Sequence, residues 1–178
     1  MSLQYNVATL LSEPIGATRV YEIDDRVLID GDEPRHEHAA GHAVFLRTDN
    51  GVFVSATLHG VQREACSRCL RDVDTPVDLE IHEEYFARFD VHSGASLPRP
   101  EDPEAFRVDA RHALDLEDAV RQYWTAALSM QPLCRPDCKG LCPRCGHDLN
   151  PGACACPPEE EDVRWSALRE LALKQEGS

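Results

Sequence analysis

The chain has 178 residues, of which 18 are Lys or Arg and 32 are Asp or Glu, for a formal net charge of −14. That length suits one domain with a sizeable core rather than two, and the acidity argues against a simple nucleic-acid binder while favouring solubility or a basic protein partner. No apolar run approaches membrane-spanning length and no signal-peptide pattern opens the sequence, so a cytoplasmic protein is expected, in which free thiols read as metal ligands rather than disulfides.

Residues 6–12 place Val7, Leu10 and Leu11 at helical spacing, and the Glu13-Pro14 step ends that turn because the residue before proline avoids the α region. Strands are expected over 19–23 and 26–29 around an acidic Asp24-Asp25 turn, with a polar loop after them. Asp49-Asn50-Gly51 between the β-prone runs 43–48 and 52–61 predicts a hairpin. In its second arm Val52, Val54, Ala56 and Leu58 share one face, opposite Phe53, Ser55, Thr57 and His59. Val77, Leu79 and Ile81 alternate with Asp78, Glu80 and His82, which gives a half-buried antiparallel strand with an acidic, wet outer face. His36, His38 and His42 form H-x-H-x3-H, read as solvated histidines on an exposed strand, since thiolates elsewhere are the better zinc donors.

Prolines and charges break periodicity over 92–109, which predicts an exposed connection. Asp115 then caps a helix running to about residue 128, with Leu116, Val120, Tyr123, Trp124 and Ala127 as its apolar stripe and Trp124 in the core. A last helix is expected after the acid run 159–162, with Trp165, Leu168 and Leu171 facing inward. No internal repeat is visible.

The eight cysteines come in four close pairs: Cys66 and Cys69, Cys134 and Cys138, Cys142 and Cys145, Cys154 and Cys156. Cys142-Pro-Arg-Cys145-Gly146 is a knuckle in which both sulfurs can point at one ion and the glycine can take a positive φ. Cys154 and Cys156 stand two apart, so an extended segment puts both on one face. Eight thiols divide naturally into two four-thiolate zinc sites. The preferred partition gives Cys142, Cys145, Cys154 and Cys156 one ribbon and ties Cys66 and Cys69 to Cys134 and Cys138. Grouping Cys134, Cys138, Cys142 and Cys145 is the alternative, and His147 is an alternative ligand to Cys154 or Cys156; spacing leaves these open. The C-x-x-C spacing is shared with thiol-disulfide oxidoreductases, but there the reactive cysteine opens a helix, whereas Pro143, Gly146 and further cysteines surround this one.

No phosphate-cradling glycine loop, serine elbow or catalytic carboxylate pair appears, so neither an enzyme nor a small-molecule substrate is expected. Near the cysteines the charge reverses: Arg63, Arg68 and Arg71 flank the first pair, and Arg135, Lys139 and Arg144 lie among the later ones. If these segments meet they form a positive patch suited to phosphate contact; offsetting the charge of zinc-tetrathiolate centres is the other role open to them.

The N-terminal run Asn6-Val-Ala through Arg19, Cys66-Ser-Arg-Cys-Leu70, the Asp115 helix and above all P-L-C-x3-C-x-G-L-C-x2-C-G-x2-L-N, from Pro132 to Asn150, resemble the YceD family over nearly the whole chain. The resemblance implies a bacterial factor needed for large-subunit ribosomal RNA (23S) to accumulate, without assigned catalytic activity, and a mainly antiparallel β body with packed helices. The expected fold is therefore α+β: a mainly antiparallel β body with helices over 1–130, a small cysteine-rich zinc ribbon over 131–158, and a C-terminal helix over 159–178, all in one compact domain. Expected partners are large-subunit rRNA precursor, basic ribosomal proteins, or both. A zinc-stabilised binding module for a basic ribosomal protein is the runner-up, and a thiol-disulfide oxidoreductase the third reading.

Overall fold

The computed structural model describes residues 3–29 and 34–157. In chain order, β1 (Gln4–Asn6) and α1 (Ala8–Leu11) precede four long strands: β2 (Thr18–Ile29), β3 (Arg35–Arg47), β4 (Gly51–Ala65) and β5 (Asp72–Phe86). Then come β6 (Ala113–Asp115) and α2 (Glu117–Ala127). The four long strands form one antiparallel sheet in the order β2-β3-β4-β5, a meander in which each strand pairs with its neighbour in sequence. β1 and β6 make a separate two-stranded pair, with Tyr5 opposite Leu114. The described residues thus form a mainly antiparallel sheet carrying two helices, in keeping with the expected α+β class. None of the described helices is long and apolar enough to cross a membrane.

The Asn-Gly turn closes the β3–β4 hairpin as expected, with Arg47 opposite Val52. Alternation then runs along β4: Val52, Val54, Ala56 and Leu58 are buried, while Phe53, Ser55, Thr57 and His59 are half-buried or exposed. The strands are longer than local patterns indicate. Asp24 and Asp25 form no turn; β2 runs straight through them, pairing Asp24 with Ala40 and Asp25 with Ala39. Ile23, Val27 and Ile29 keep the inward period on both sides of the two acids, so the sheet, not local polarity, sets the backbone. β3 starts at Arg35 rather than 43, which places His36, His38 and His42 on it, all exposed. Pro76 lies inside β5, where an edge strand tolerates a missing N–H.

One face of the sheet carries the core. Trp124 is fully buried beneath it and its indole Nε1 donates to Gln62 Oε1 at 2.9 Å. The ring lies against Gly60, where a Cβ would approach Trp124 Cη2 to 2.1 Å, so β4 needs glycine at this position. Tyr123 Oη donates to Glu83 at 2.8 Å and pins α2 to β5. Asp115 accepts the Glu117 amide at 2.9 Å, but Leu116 occupies the cap position and the helix begins one residue later than expected. Ala127 is exposed, a correction to the expected stripe; Ala119 is buried instead, and the stripe continues from Trp124 to half-buried Leu128, one full turn on. The connection over 92–109 is irregular yet anchored: Val108 is fully buried, Leu97 and Phe106 pack on the core, and the Val108 amide donates to Phe86 O. Irregular spacing of these apolar residues hides them from a periodicity argument. The C-terminal helix expected over 159–178 lies outside the described residues.

The candidate metal centres

The turn from β4 to β5 holds the first cysteine pair. The Cys66 amide donates to Arg71 O at 2.8 Å and the Leu70 amide to Cys66 O at 2.9 Å, with Leu70 at φ +59°. The turn around Cys142 repeats this construction: its amide donates to His147 O at 2.8 Å, the Gly146 amide donates to Cys142 O at 2.9 Å, and Gly146 has φ +71°. In both, a C-x-x-C is followed by a left-handed residue whose amide turns back on the first cysteine, which aims both sulfurs to one side.

The 132–141 segment closes on the first turn. Ser67 donates to Pro132 O through both its amide and its hydroxyl, Arg68 Nη1 donates to Cys138 O at 2.8 Å, and the Leu141 amide donates to Arg68 O at 3.1 Å. Gly140, at φ +74°, sits so close to this turn that a Cβ would lie 2.8 Å from Arg68 O. These contacts bring Cys134 and Cys138 to Cys66 and Cys69.

Two sulfur tetrads result: Cys66, Cys69, Cys134 and Cys138 in one, and Cys142, Cys145, Cys154 and Cys156 in the other, each with its Sγ atoms within 4.8 Å of one another. The Cys66–Cys138, Cys69–Cys134 and Cys142–Cys154 separations are 3.9, 3.6 and 3.5 Å. A disulfide needs about 2 Å. A tetrahedral thiolate shell with metal–sulfur bonds of about 2.3 Å has edges of about 3.8 Å, and both tetrads fit that dimension. All eight cysteines are free thiols. His147 joins neither tetrad, and among the described residues no further group of three or more His, Cys, Asp or Glu side chains converges.

The surroundings of the two tetrads differ. Cys66 is 0% exposed, Cys138 2% and Cys69 8%, with Val73, Leu133 and Leu141 packed around them. In the second tetrad Cys142 is buried, Cys154 and Cys156 are half-buried and Cys145 is exposed. Amides aimed at the first sulfur of each turn pull its thiol down: Cys66 to about 6, chiefly through the Cys134 amide, and Cys142 to about 6, chiefly through the Cys145 amide. Burial pushes Cys134 up to about 12, and hydrogen bonding with Cys145 pushes Cys156 up to about 12. Cys138 is likewise lowered and Cys69 raised, so each tetrad combines thiols held below the ordinary range with thiols held above it.

Asn150, which lies between Cys145 and Cys154 in the chain, reaches back to the first centre, a role that residue spacing did not reveal. Its Nδ2 donates to Cys138 Sγ at 3.6 Å, while its Oδ1 accepts the Lys139 amide and Arg135 Nη2, both at 2.9 Å. It closes the G-x2-L-N motif, and that fixed offset from the knuckle is the one sequence signal that marked it.

The basic segments do meet, but most of their guanidinium groups are matched internally. Arg63 stands between Asp72 and Asp74 at 3.6 and 3.7 Å, Arg71 pairs with Asp148 at 2.8 Å, and Arg135 lies 3.4 Å from Asp137. Arg68 is tied to Cys138 O, and Arg144 donates to Pro157 O at 3.1 Å. Lys139 is exposed.

Comparison with known proteins places these motifs in context. The family model for "Large ribosomal RNA subunit accumulation protein YceD" matches residues 54–172, a span that takes in all eight cysteines. Uncharacterized proteins of Mycobacterium bovis and Mycobacterium tuberculosis are each 36% identical to the chain over 123 residues, 68% of this chain and 56% of theirs. A protein of Arabidopsis thaliana named "Large ribosomal RNA subunit accumulation protein YCED homolog 1, chloroplastic" is 31% identical over 67 residues, 36% of this chain and 21% of that protein. The chain spans little more than half the length of the mycobacterial relatives. No solved structure matches it.

Proposed function

The chain belongs to the YceD family of large ribosomal RNA subunit accumulation proteins, and from that membership we propose that it is a non-enzymatic factor in large ribosomal subunit biogenesis, needed for 23S rRNA to accumulate and be processed. The observation that carries this reading is the family match across both sulfur tetrads. The family is named for RNA accumulation and not for a reaction, in line with a protein that binds rather than catalyses.

Each tetrad then holds one zinc ion, through Cys66, Cys69, Cys134 and Cys138 in the first and Cys142, Cys145, Cys154 and Cys156 in the second. Four thiolates leave no open coordination position, so the zinc supplies structure and not a reaction site. The cysteine-rich segment 131–158 serves as the zinc-binding unit of one compact domain whose β body lies within 1–130. Arg63, Arg68, Arg71, Arg135, Lys139 and Arg144 supply local phosphate contacts to rRNA precursor in the cytoplasm, against the overall negative charge.

The test is a gene deletion complemented with wild type or with Arg68→Glu, Arg71→Glu and Arg144→Glu combined. Loss of 23S rRNA and of large subunits in the deletion strain is expected, and the triple variant, with its metal intact, should fail to restore them. Normal 23S rRNA in the deletion strain overturns the biogenesis reading; full rescue by the triple variant overturns the RNA-contact reading alone. Freshly purified protein should contain two zinc ions per chain by elemental analysis, and a content near zero overturns the metal assignment.

A further inference from the structure

On the face of the sheet turned away from α2, Glu22, Asp24, His42, His59, Asp78 and Glu80 are exposed. Two rows of side chains cross its middle. The register sets Glu22 opposite His42, His42 opposite Thr57, and Thr57 opposite Glu80. In the next row Asp24 faces Ala40, Ala40 faces His59, and His59 faces Asp78. Each row therefore has a carboxylate on either edge strand, with one histidine and one small side chain between, and neither contains Lys or Arg. With strands about 4.8 Å apart, the two carboxylates of a row stand roughly 14 Å from each other, and the rows are about 7 Å apart.

Asp24 and Asp78 are oriented by their neighbours yet open to solvent. Asp24 meets His38 Nε2 at 2.6 Å and Asp78 meets His59 Nδ1 at 2.7 Å, and each Asp side chain is 79% exposed. Next to the rows, toward the β3–β4 turn, lies an apolar strip: Val20, 63% exposed, is paired with Val44, and Leu46 is paired with Phe53. Val44, Leu46 and Phe53 are half-buried, so with exposed Val20 the strip offers some apolar surface beside the charges.

Charge chooses among possible occupants. A nucleic-acid backbone is repelled by these rows. A second copy of this acidic chain would bring like charges together. The remaining C-terminal residues open with the acids Glu159 to Asp162 and carry the same sign. A cationic protein segment complements both the rows and the strip. We infer that this sheet face docks a lysine- and arginine-rich segment of a partner protein, with its cations over the four carboxylates and its apolar side chains over Val20 and Phe53. The inference rests on the biogenesis reading only in that basic ribosomal proteins would supply the segment.

The experiment uses the full zinc-loaded chain and a fluorescent synthetic peptide rich in lysine and arginine and bearing leucines, with anisotropy read across a salt series. The face variant combines Glu22→Gln, Asp24→Asn, Asp78→Asn and Glu80→Gln. A charge-matched control combines Glu101→Gln, Glu104→Gln, Asp118→Asn and Asp137→Asn, all at exposed positions away from this face. The face variant should bind the peptide at least about tenfold more weakly, as expected for several exposed charge pairs acting together, and with a shallower salt dependence. The control should bind like wild type, and both should keep wild-type melting and zinc content. No binding by wild type, equal loss in both variants, or unchanged affinity in the face variant overturns the inference. So does an RNA oligonucleotide that binds wild type tightly and loses affinity in the face variant. Normal 23S rRNA in the deletion strain, with peptide binding intact, would instead defeat only the biogenesis reading.

Discussion

The turns at 66–71 and 142–147 share one backbone design and sit in opposite settings. The first lies at the far end of the β4–β5 hairpin, and its sulfurs meet partners 65 and 72 residues away. The second meets Cys154 only 12 residues from Cys142, with one ligand in open solvent. A link across 72 residues removes about 1.6 kcal/mol more freedom from the unfolded chain than one across 12, since the entropy grows only slowly with loop length, but it joins segments that nothing else in the sequence holds together. The buried tetrad therefore fastens the cysteine-rich segment to the sheet, while the exposed one shapes that segment internally. The same chemistry serves tertiary structure in one place and local structure in the other.

The largest expected effect breaks this contrast directly. Cys69→Ser removes a ligand from the buried centre and should cost several kcal/mol, a fraction of the roughly 10–16 kcal/mol associated with a full structural zinc site. Global melting should fall and one zinc ion should be lost. Cys145→Ser should lose one zinc ion too, yet leave amide-exchange protection in β2 to β5 near wild type. Equal global destabilisation by both substitutions would show that the second centre also holds the domain together.

The glycines that follow the cysteines sharpen the comparison. Gly140→Ala combines a left-handed backbone with a Cβ 2.8 Å from Arg68 O and should cost about 2–3 kcal/mol in urea unfolding. Gly146 is also left-handed, at φ +71°, but nothing lies within 4 Å of its Cβ position, so Gly146→Ala should cost only about 1 kcal/mol. A larger loss at Gly146 than at Gly140 would contradict the close packing between the first turn and the 132–141 segment.

Asn150→Ala tests the support that the loop between Cys145 and Cys154 gives to the buried centre. It removes the donor to Cys138 Sγ and the acceptor for Lys139 and Arg135, and should cost about 1–2 kcal/mol while speeding release of zinc from the buried centre to a chelator. Release from the exposed centre should stay unchanged, as read by a zinc-responsive dye. Leu70→Gly is the smallest effect. Leu70 is 67% exposed and held at φ +59°, so glycine relieves steric strain and should leave stability unchanged or raise it by up to about 1 kcal/mol. A marked loss would mean that the leucine side chain has a packing role.

Features governed by a few neighbouring residues were legible in the sequence alone. The Asn-Gly hairpin, the period-two face of β4, Trp124 in the core and the knuckle at Cys142 each depend on local backbone geometry or on the alternation of a single strand. Tertiary structure decided the rest. Continuous pairing with β3 keeps Asp24 and Asp25 in a strand where their polarity alone suggests a turn. Packing recruits Leu97, Phe106 and Val108 from a segment without any period. Carboxylates placed within bonding range of Arg63, Arg71 and Arg135 balance a patch that the sequence presents as simply basic. The sequence supplied eight thiols and two C-x-x-C turns, but which four sulfurs converge depends on where the β4–β5 hairpin delivers Cys66 and Cys69, and residue spacing carries no information about a contact made across 65 residues or more.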